Sequence, residues 1–131
     1  MNFGEKLKNL RDKHNLTQQD LAKKLNVSLR TITNYETGGM RPKSRDIYYK
    51  MSEIFDINVN YLLTEEEDFI FKAKDKFGNK GKSDAEEILR SVIGLFAGGK
   101  LDEEDKKAVF EAIQEAYFIS KLENKKYSKK D

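Results

Sequence analysis

The chain contains no cysteine, no tryptophan, one histidine (His14) and one proline (Pro42) in 131 residues. Without cysteine there is no disulfide and no thiolate metal site, which accords with a reducing cytosol. A single histidine adds too little to build a transition-metal cluster, so neither a metal nor any other cofactor is expected. Long hydrophobic runs are also missing. No stretch approaches the roughly 18 apolar residues that a membrane-spanning helix needs. The first ten residues, MNFGEKLKNL, lack the apolar core of a secretory signal. These absences lead to an expectation of a cytoplasmic protein that does not enter a membrane. The scarcity of proline, set against abundant Lys, Glu and Leu, favours helix over sheet. Apolar and charged residues each make up 37%. That apolar share is low for one tight globule and suits small helical units with much exposed surface.

Charge is nearly balanced, at +2 overall, but it is uneven. Residues 1–63 hold 11 Lys/Arg against 7 Asp/Glu, and residues 64–131 hold 14 against 16. A basic first half permits an anionic partner without requiring one.

Apolar spacing and capping residues divide the first half into five helices. Phe3, Leu7 and Leu10 share one side of a helix from about Asn2 to His14. Thr17 is placed as an N-cap, with Asp20 as the acidic member of a capping box. Leu21, Ala22 and Leu25 form the inner face of a second helix of about two turns, which Asn26 can stop in the left-handed conformation. Ser28 caps a third helix, with Ile32 and Tyr35 inward, ending near Gly38. A turn, RPKS, precedes a fourth helix from Arg45 to Phe55 with a wide apolar stripe. Asn58 caps a short fifth helix. The acidic run TEEED then marks a change of composition. Expected domains are 1–64, a five-helix unit; 65–82, an acidic segment, short helix and linker; 83–123, a C-terminal helical hairpin; and 124–131, a basic tail. Within the second segment, Phe69 to Phe77 fits a helix better than an alternating strand. GNKGKS (78–83) reads as a flexible linker with Ser83 capping the next helix, which runs through Ala97. LDEED starts the final helix at Asp102, and that helix extends to about Leu122. The tail beyond is expected to fray.

Two short helices separated by a tight turn meet a specific physical demand. The major groove of B-DNA, about 12 Å wide, admits one helix. That helix must stand out from the protein body on a brace that crosses it steeply. A small residue is needed at the crossing, and Ala22 is placed for it. A residue tolerant of positive φ is needed in the turn, and Asn26 is placed there. Leu21, Leu25, Val27, Ile32 and Tyr35 would lock both helices onto the first and fourth.

The stretch LTQQDLAKKLNVSLRTITNYETG, spanning 16–38, resembles the helix-turn-helix of the lambda-repressor/Cro-type (XRE) DNA-binding proteins. The resemblance covers about residues 3–63 and departs from the family pattern at Asn26, where glycine is commoner. It implies an all-α fold: a five-helix lambda-repressor-like DNA-binding domain, then a small helical region of about three helices. It also implies double-stranded DNA as the partner. Base reading falls to Leu29, Arg30, Thr31, Thr33 and Asn34. Arg30 suits guanine O6/N7 and Asn34 suits adenine N6/N7. Phosphate contact falls to Gln18, Ser28, Arg41 and Lys43. Arg11 and Glu36 are the positions that pair between the first and third helices.

In the last helix, Val109, Ala112, Ile113, Ala116 and Tyr117 share one face, while Phe118, Ile119 and Leu122 fall off it. Either all of them pack within a small three-helix module, or Ile113, Tyr117, Phe118, Ile119 and Leu122 form a surface for another subunit. Two-fold operator symmetry favours the second, a homodimer through the C-terminal helices. The segment LFAGGKLDEEDKKAVFEAIQEAYFISKLENKKY, 95–127, is similar to the C-terminal region of repressors from mobile elements and prophages of low-GC Gram-positive bacteria. That resemblance brings a metalloprotease anti-repressor as a further expected partner.

Catalytic chemistry finds no support. His14 suits the end of the first helix, where the dipole favours it. FGNKGKS lacks the phosphate-loop spacing and a preceding strand. EEED and DEED are explained by a linker and a helix start. The expected function is sequence-specific DNA-binding regulation, as a dimeric repressor on a palindromic operator and not as an enzyme. The competing expectation is an antitoxin-type module that neutralises a partner protein and autoregulates its operon.

Overall fold

A computed structural model describes residues 1–128, with side chains through Asn124. Its element order is α1 (Phe3–Lys13), α2 (Gln18–Leu25), α3 (Leu29–Thr37), α4 (Arg45–Phe55), a 3-10 turn (Val59–Tyr61), α5 (Glu65–Phe96) and α6 (Glu103–Ser128). The all-helical expectation holds among the described residues, and the fifth helix of the first unit is the single 3-10 turn. No helix among the described residues is long and apolar enough to cross a membrane. The chain forms two compact units, 1–68 and 69–131.

Each helix of the first unit starts where a side chain satisfies the orphan N–H groups of its first turn. Asn2 accepts from Glu5 N, Ser28 from Thr31 N, and Ser44 from Asp46 N. At α2 both halves of the capping box are made: Asp20 N donates to Thr17 Oγ1 at 3.0 Å, and Thr17 N donates to Asp20 Oδ2 at 2.9 Å. α2 ends at Asn26, whose φ of 56° and ψ of 46° are left-handed. The apolar faces converge on Leu7, Leu21, Leu25, Ile32, Tyr48, Met51 and Phe55, all essentially inaccessible to solvent. Burying each such side chain contributes on the order of 1.5–3 kcal/mol. Phe3 adds edge-on contacts to Tyr35 and Tyr48, with ring centroids 6.2 and 5.9 Å apart. The lone histidine, His14, sits at the end of α1, edge-on to Phe55.

The second unit is built around Phe69. Phe110, Tyr117 and Phe118 each meet its ring edge-on at 5.8 Å, beside the small residues Ala73 and Ala85. The linker expected at 78–83 is not there. Residues 79–83 are helical, within an α5 that bends at Gly78 (φ 68°, ψ −152°). A β-carbon on Gly81 would lie 2.2 Å from the Ala73 carbonyl oxygen. The two glycines therefore serve a sharp bend and a close helix approach, and Ser83 caps nothing. Asp84 lies within this unit, accepting from the Tyr117 hydroxyl at 3.0 Å and pairing with Lys80 and Lys121, each at 3.0 Å. Burial opposes its charge, but these three partners hold its carboxyl at about 2.

The inward face of α6 also differs from the expected one. Phe110 is buried, whereas Ala112 and Ala116 are exposed. Phe118 and Tyr117, expected at a partner surface, are half-buried and pack against the Phe69 cluster. The small side chains of Ala73 and Ala85 leave room for both rings around Phe69. Of the expected interface set, Ile113 is half-buried, and Ile119 and Leu122 are exposed. α6 continues past Leu122 to Ser128. The rest of the basic tail lies outside the described residues.

Candidate nucleic-acid interface

The surface of α3 divides sharply along its length. Ile32, Tyr35 and Glu36 face inward. Leu29, Arg30 and Thr33 are exposed, and Thr31 and Asn34 are half-exposed. Leu29 keeps 45% of its surface in solvent, while Ile32 and Tyr35 of the same helix are buried. All five residues expected to read bases therefore lie outside the core, on or near the N-terminal half of α3. That end also carries the positive end of the helix dipole.

The N-terminus of α3 is tightly organised. Ser28 Oγ caps Thr31 N at 3.1 Å and lies 2.8 Å from Thr31 Oγ1. The Thr33 hydroxyl donates back to the Leu29 carbonyl at 3.2 Å. Ser28 is thus engaged as a cap, and its hydroxyl also fixes the side chain of Thr31.

The structure brings Arg11, Gln18 and Glu36 together. Arg11 donates to both oxygens of Glu36, Nε to Oε2 at 2.8 Å and Nη2 to Oε1 at 3.1 Å. Its third nitrogen donates to the Leu16 carbonyl at 2.8 Å. Gln18 Nε2 donates to Glu36 Oε1 at 3.1 Å, and Gln18 Oε1 faces the Thr33 hydroxyl at 3.5 Å. The Glu36 side chain is 1% exposed, so its charge is matched entirely from within. The hydrogen bond to Glu36 raises the Arg11 guanidinium above its ordinary value. One carboxylate from α3 thereby ties down α1 and α2. The Gln18 amide, expected on a phosphate, points inward; only its backbone N–H, at the first position of α2, offers the orphan donor of a helix start.

Arg41 is paired within the protein. It follows α3 by a few residues and was expected on a phosphate, as was Lys43. Lys43 is exposed. Arg41 instead donates Nε to Glu67 Oε2 at 2.9 Å and Nη2 to the Leu62 carbonyl at 2.8 Å, with its guanidinium 4.6 Å from the Phe3 ring centre. Glu67 also accepts from the Tyr48 hydroxyl at 2.6 Å and from Thr64 N and Oγ1 at 3.3 and 3.0 Å. Burial works against the Glu67 charge, but Arg41 and Tyr48 hold its carboxyl below the usual range. Burial, together with Glu67, pushes the Tyr48 phenol well up. A cation this fully engaged is not available to DNA without giving up an internal partner.

One structural residue of the interface escapes sequence reasoning. A β-carbon on Gly4 would lie 2.2 Å from the Glu36 carbonyl oxygen and 2.8 Å from that of Tyr35. Gly4 is what lets α1 press against α3 where Arg11 meets Glu36. The only signal for it in the sequence is a glycine inside the first helix, where propensity alone disfavours one.

A capped brace helix, a left-handed turn and a second capped helix with one exposed face define a helix-turn-helix DNA-binding unit. Residues 7–62 match the family model described as Helix-turn-helix. Over 128 residues the chain is 30% identical to the HTH-type transcriptional regulator ImmR of Bacillus subtilis, covering 95% of this chain and 99% of ImmR. It is 32% identical over 114 residues to the uncharacterized HTH-type transcriptional regulator YqaE of the same organism, covering 86% of this chain and 90% of YqaE. An uncharacterized HTH-type transcriptional regulator of Methanocaldococcus jannaschii is 43% identical over 63 residues, which span 48% of this chain and 94% of that protein. No solved structure matches the chain. The chain belongs to the HTH-type transcriptional regulators, of the XRE type, and its function is DNA-binding regulation of transcription.

Proposed function

We propose that the protein is a dimeric repressor that reads a palindromic operator by placing the exposed face of α3 in the major groove. The exposure of Leu29, Arg30 and Thr33 beside the buried Ile32, Tyr35 and Glu36 carries this reading. Leu29, Arg30, Thr31, Thr33 and Asn34 are the base-reading set. Arg30 grips guanine, Asn34 grips adenine and Leu29 packs on a thymine methyl. Phosphate contacts come from the backbone start of α2 at Gln18, from the Ser28 end of α3 and from Lys43, without Arg41. The dimer forms through the second unit, where Ile119 and Leu122 stay exposed together with Ile93 and Leu95. A shallow apolar groove lined by Ile88, Val92, Leu95 and Ile113 adds to that surface. A metalloprotease anti-repressor is proposed as the inactivating partner on the resemblance of residues 95–127 alone. Similarity to ImmR along the whole chain favours a regulator over an antitoxin.

Arg30→Ala and Asn34→Ala are expected to relax preference at one base position in each half-site, by about 1–3 kcal/mol each. Lys43→Ala is expected to weaken binding to all sequences alike. Competition binding with single-base operator variants measures both. Uniform weakening by Arg30→Ala or Asn34→Ala would remove that residue from the reading set.

A further inference from the structure

The loop that follows the recognition helix, taken with the first residue of α4, carries three cations in five residues, Arg41, Lys43 and Arg45. Such a loop is well suited to phosphate, because each cation that neutralises a phosphate releases condensed counterions. Two of the three are already matched by acids from one short segment. Arg41 meets Glu67 through two nitrogens. Arg45 Nε lies 3.1 Å from Asp68 Oδ1. Both acids belong to the first turn of α5, whose opening residues are all acidic, Glu65 to Asp68. All four partners lie within the first unit. The Arg41 and Arg45 side chains keep 35% and 30% of their surface exposed, although Arg45 Nε itself is buried against Asp68. They are close enough to solvent to reach a phosphate, yet both are paired.

We propose that the acidic first turn of α5 is an intramolecular competitor for DNA phosphate at the basic loop 41–45, holding Arg41 and Arg45 out of the DNA contact. Glu67 is the principal latch. It gathers Arg41, the Tyr48 hydroxyl and Thr64 on one carboxylate, so Arg41 leaves it only at the expense of a satisfied network. Asp68 is the weaker one, an ion pair to a partly exposed arginine. Lys43, between them, stays available. The inference rests on the DNA-binding reading of α3. It adds that affinity is held below what the loop could supply, and that displacing the start of α5 would raise it.

The test is binding of the full chain to a short mixed-sequence duplex across a salt series, with folding checked by circular dichroism. Glu67→Gln with Asp68→Asn is expected to bind more tightly than wild type. Its slope of log K against log salt is expected to steepen by roughly 0.9 for each freed cation. Glu103→Gln with Glu104→Gln removes the same charge from the exposed start of α6 and is expected to leave the slope unchanged. Asp68→Asn alone, which spares the Glu67 network, is expected to give about half the steepening, and it decides the matter if the double variant does not fold. Arg41→Gln in the wild-type background is expected to leave the slope as it is. An unchanged slope in the folded double variant, equal steepening in the Glu103/Glu104 control, or a slope about 0.9 shallower in Arg41→Gln would each overturn the proposal. If wild type binds no duplex at any salt, the DNA reading itself fails, and the competitor role falls with it.

Discussion

Glu36 is the residue on which the recognition unit converges. Its carboxylate takes both a guanidinium edge from Arg11 and the Gln18 amide, while its backbone carbonyl lies against Gly4. Taking two charges out of water is costly, so the pair need not add net stability over an apolar substitute. Removing Glu36 is a different matter, because the largely buried Arg11 loses its bidentate partner and keeps the Leu16 carbonyl and a longer contact to Asp12. Glu36→Ala is expected to lower stability by about 3–5 kcal/mol, measured by urea unfolding. A loss under about 1 kcal/mol would place the contact among ordinary exposed ion pairs. Arg41 follows the same logic in the opposite functional sense. Sequence position alone assigns it to phosphate, and only the three-dimensional neighbourhood shows the carboxylate that occupies it.

At the scale of elements, the caps and the apolar spacing made the first unit legible. Thr17 and Ser28 cap real helices, and Asn26 makes the left-handed turn. These are local effects, decided within four residues of chain, so sequence carries them directly. The misreadings arise where a residue's role depends on something distant. Gly78 and Gly81 looked like linker residues because glycine commonly marks one. In the structure Gly81 lies against the Ala73 carbonyl, eight residues earlier, across a bend at Gly78. Gly81→Ala is therefore expected to destabilise the protein by about 1–3 kcal/mol through overpacking against backbone, seen as a lower Tm. A true linker glycine would tolerate the change, so an unaltered Tm would restore the linker reading. The face of α6 was misassigned for a related reason. Period alone could not weigh Phe110 against Val109 and Ala112, because Phe69, the ring that selects it, lies on another helix.

For the whole molecule, the two units differ in how far sequence reaches. The first carries a full helix-turn-helix pattern, so its fold and the exposed face of its reader follow from spacing. The second is held by aromatic packing around one phenylalanine and by the Asp84 cluster, neither of which has a sequence signature. Its exposed apolar residues are fewer than expected, since Tyr117 and Phe118 turn inward. This narrows the proposed dimer surface to Ile113, Ile119 and Leu122 of α6 with the exposed Ile93 and Leu95 of α5. The central claim is that α3 reads bases and that two copies do so together. The direct measurement is selection of binding sites from random duplex DNA by the full chain, followed by footprinting at two salt concentrations. The expected result is an inverted repeat with half-sites about one helical turn apart, whose preference persists at the higher salt. Binding that is blind to sequence and vanishes as salt rises would contradict it, since phosphate contacts alone behave that way.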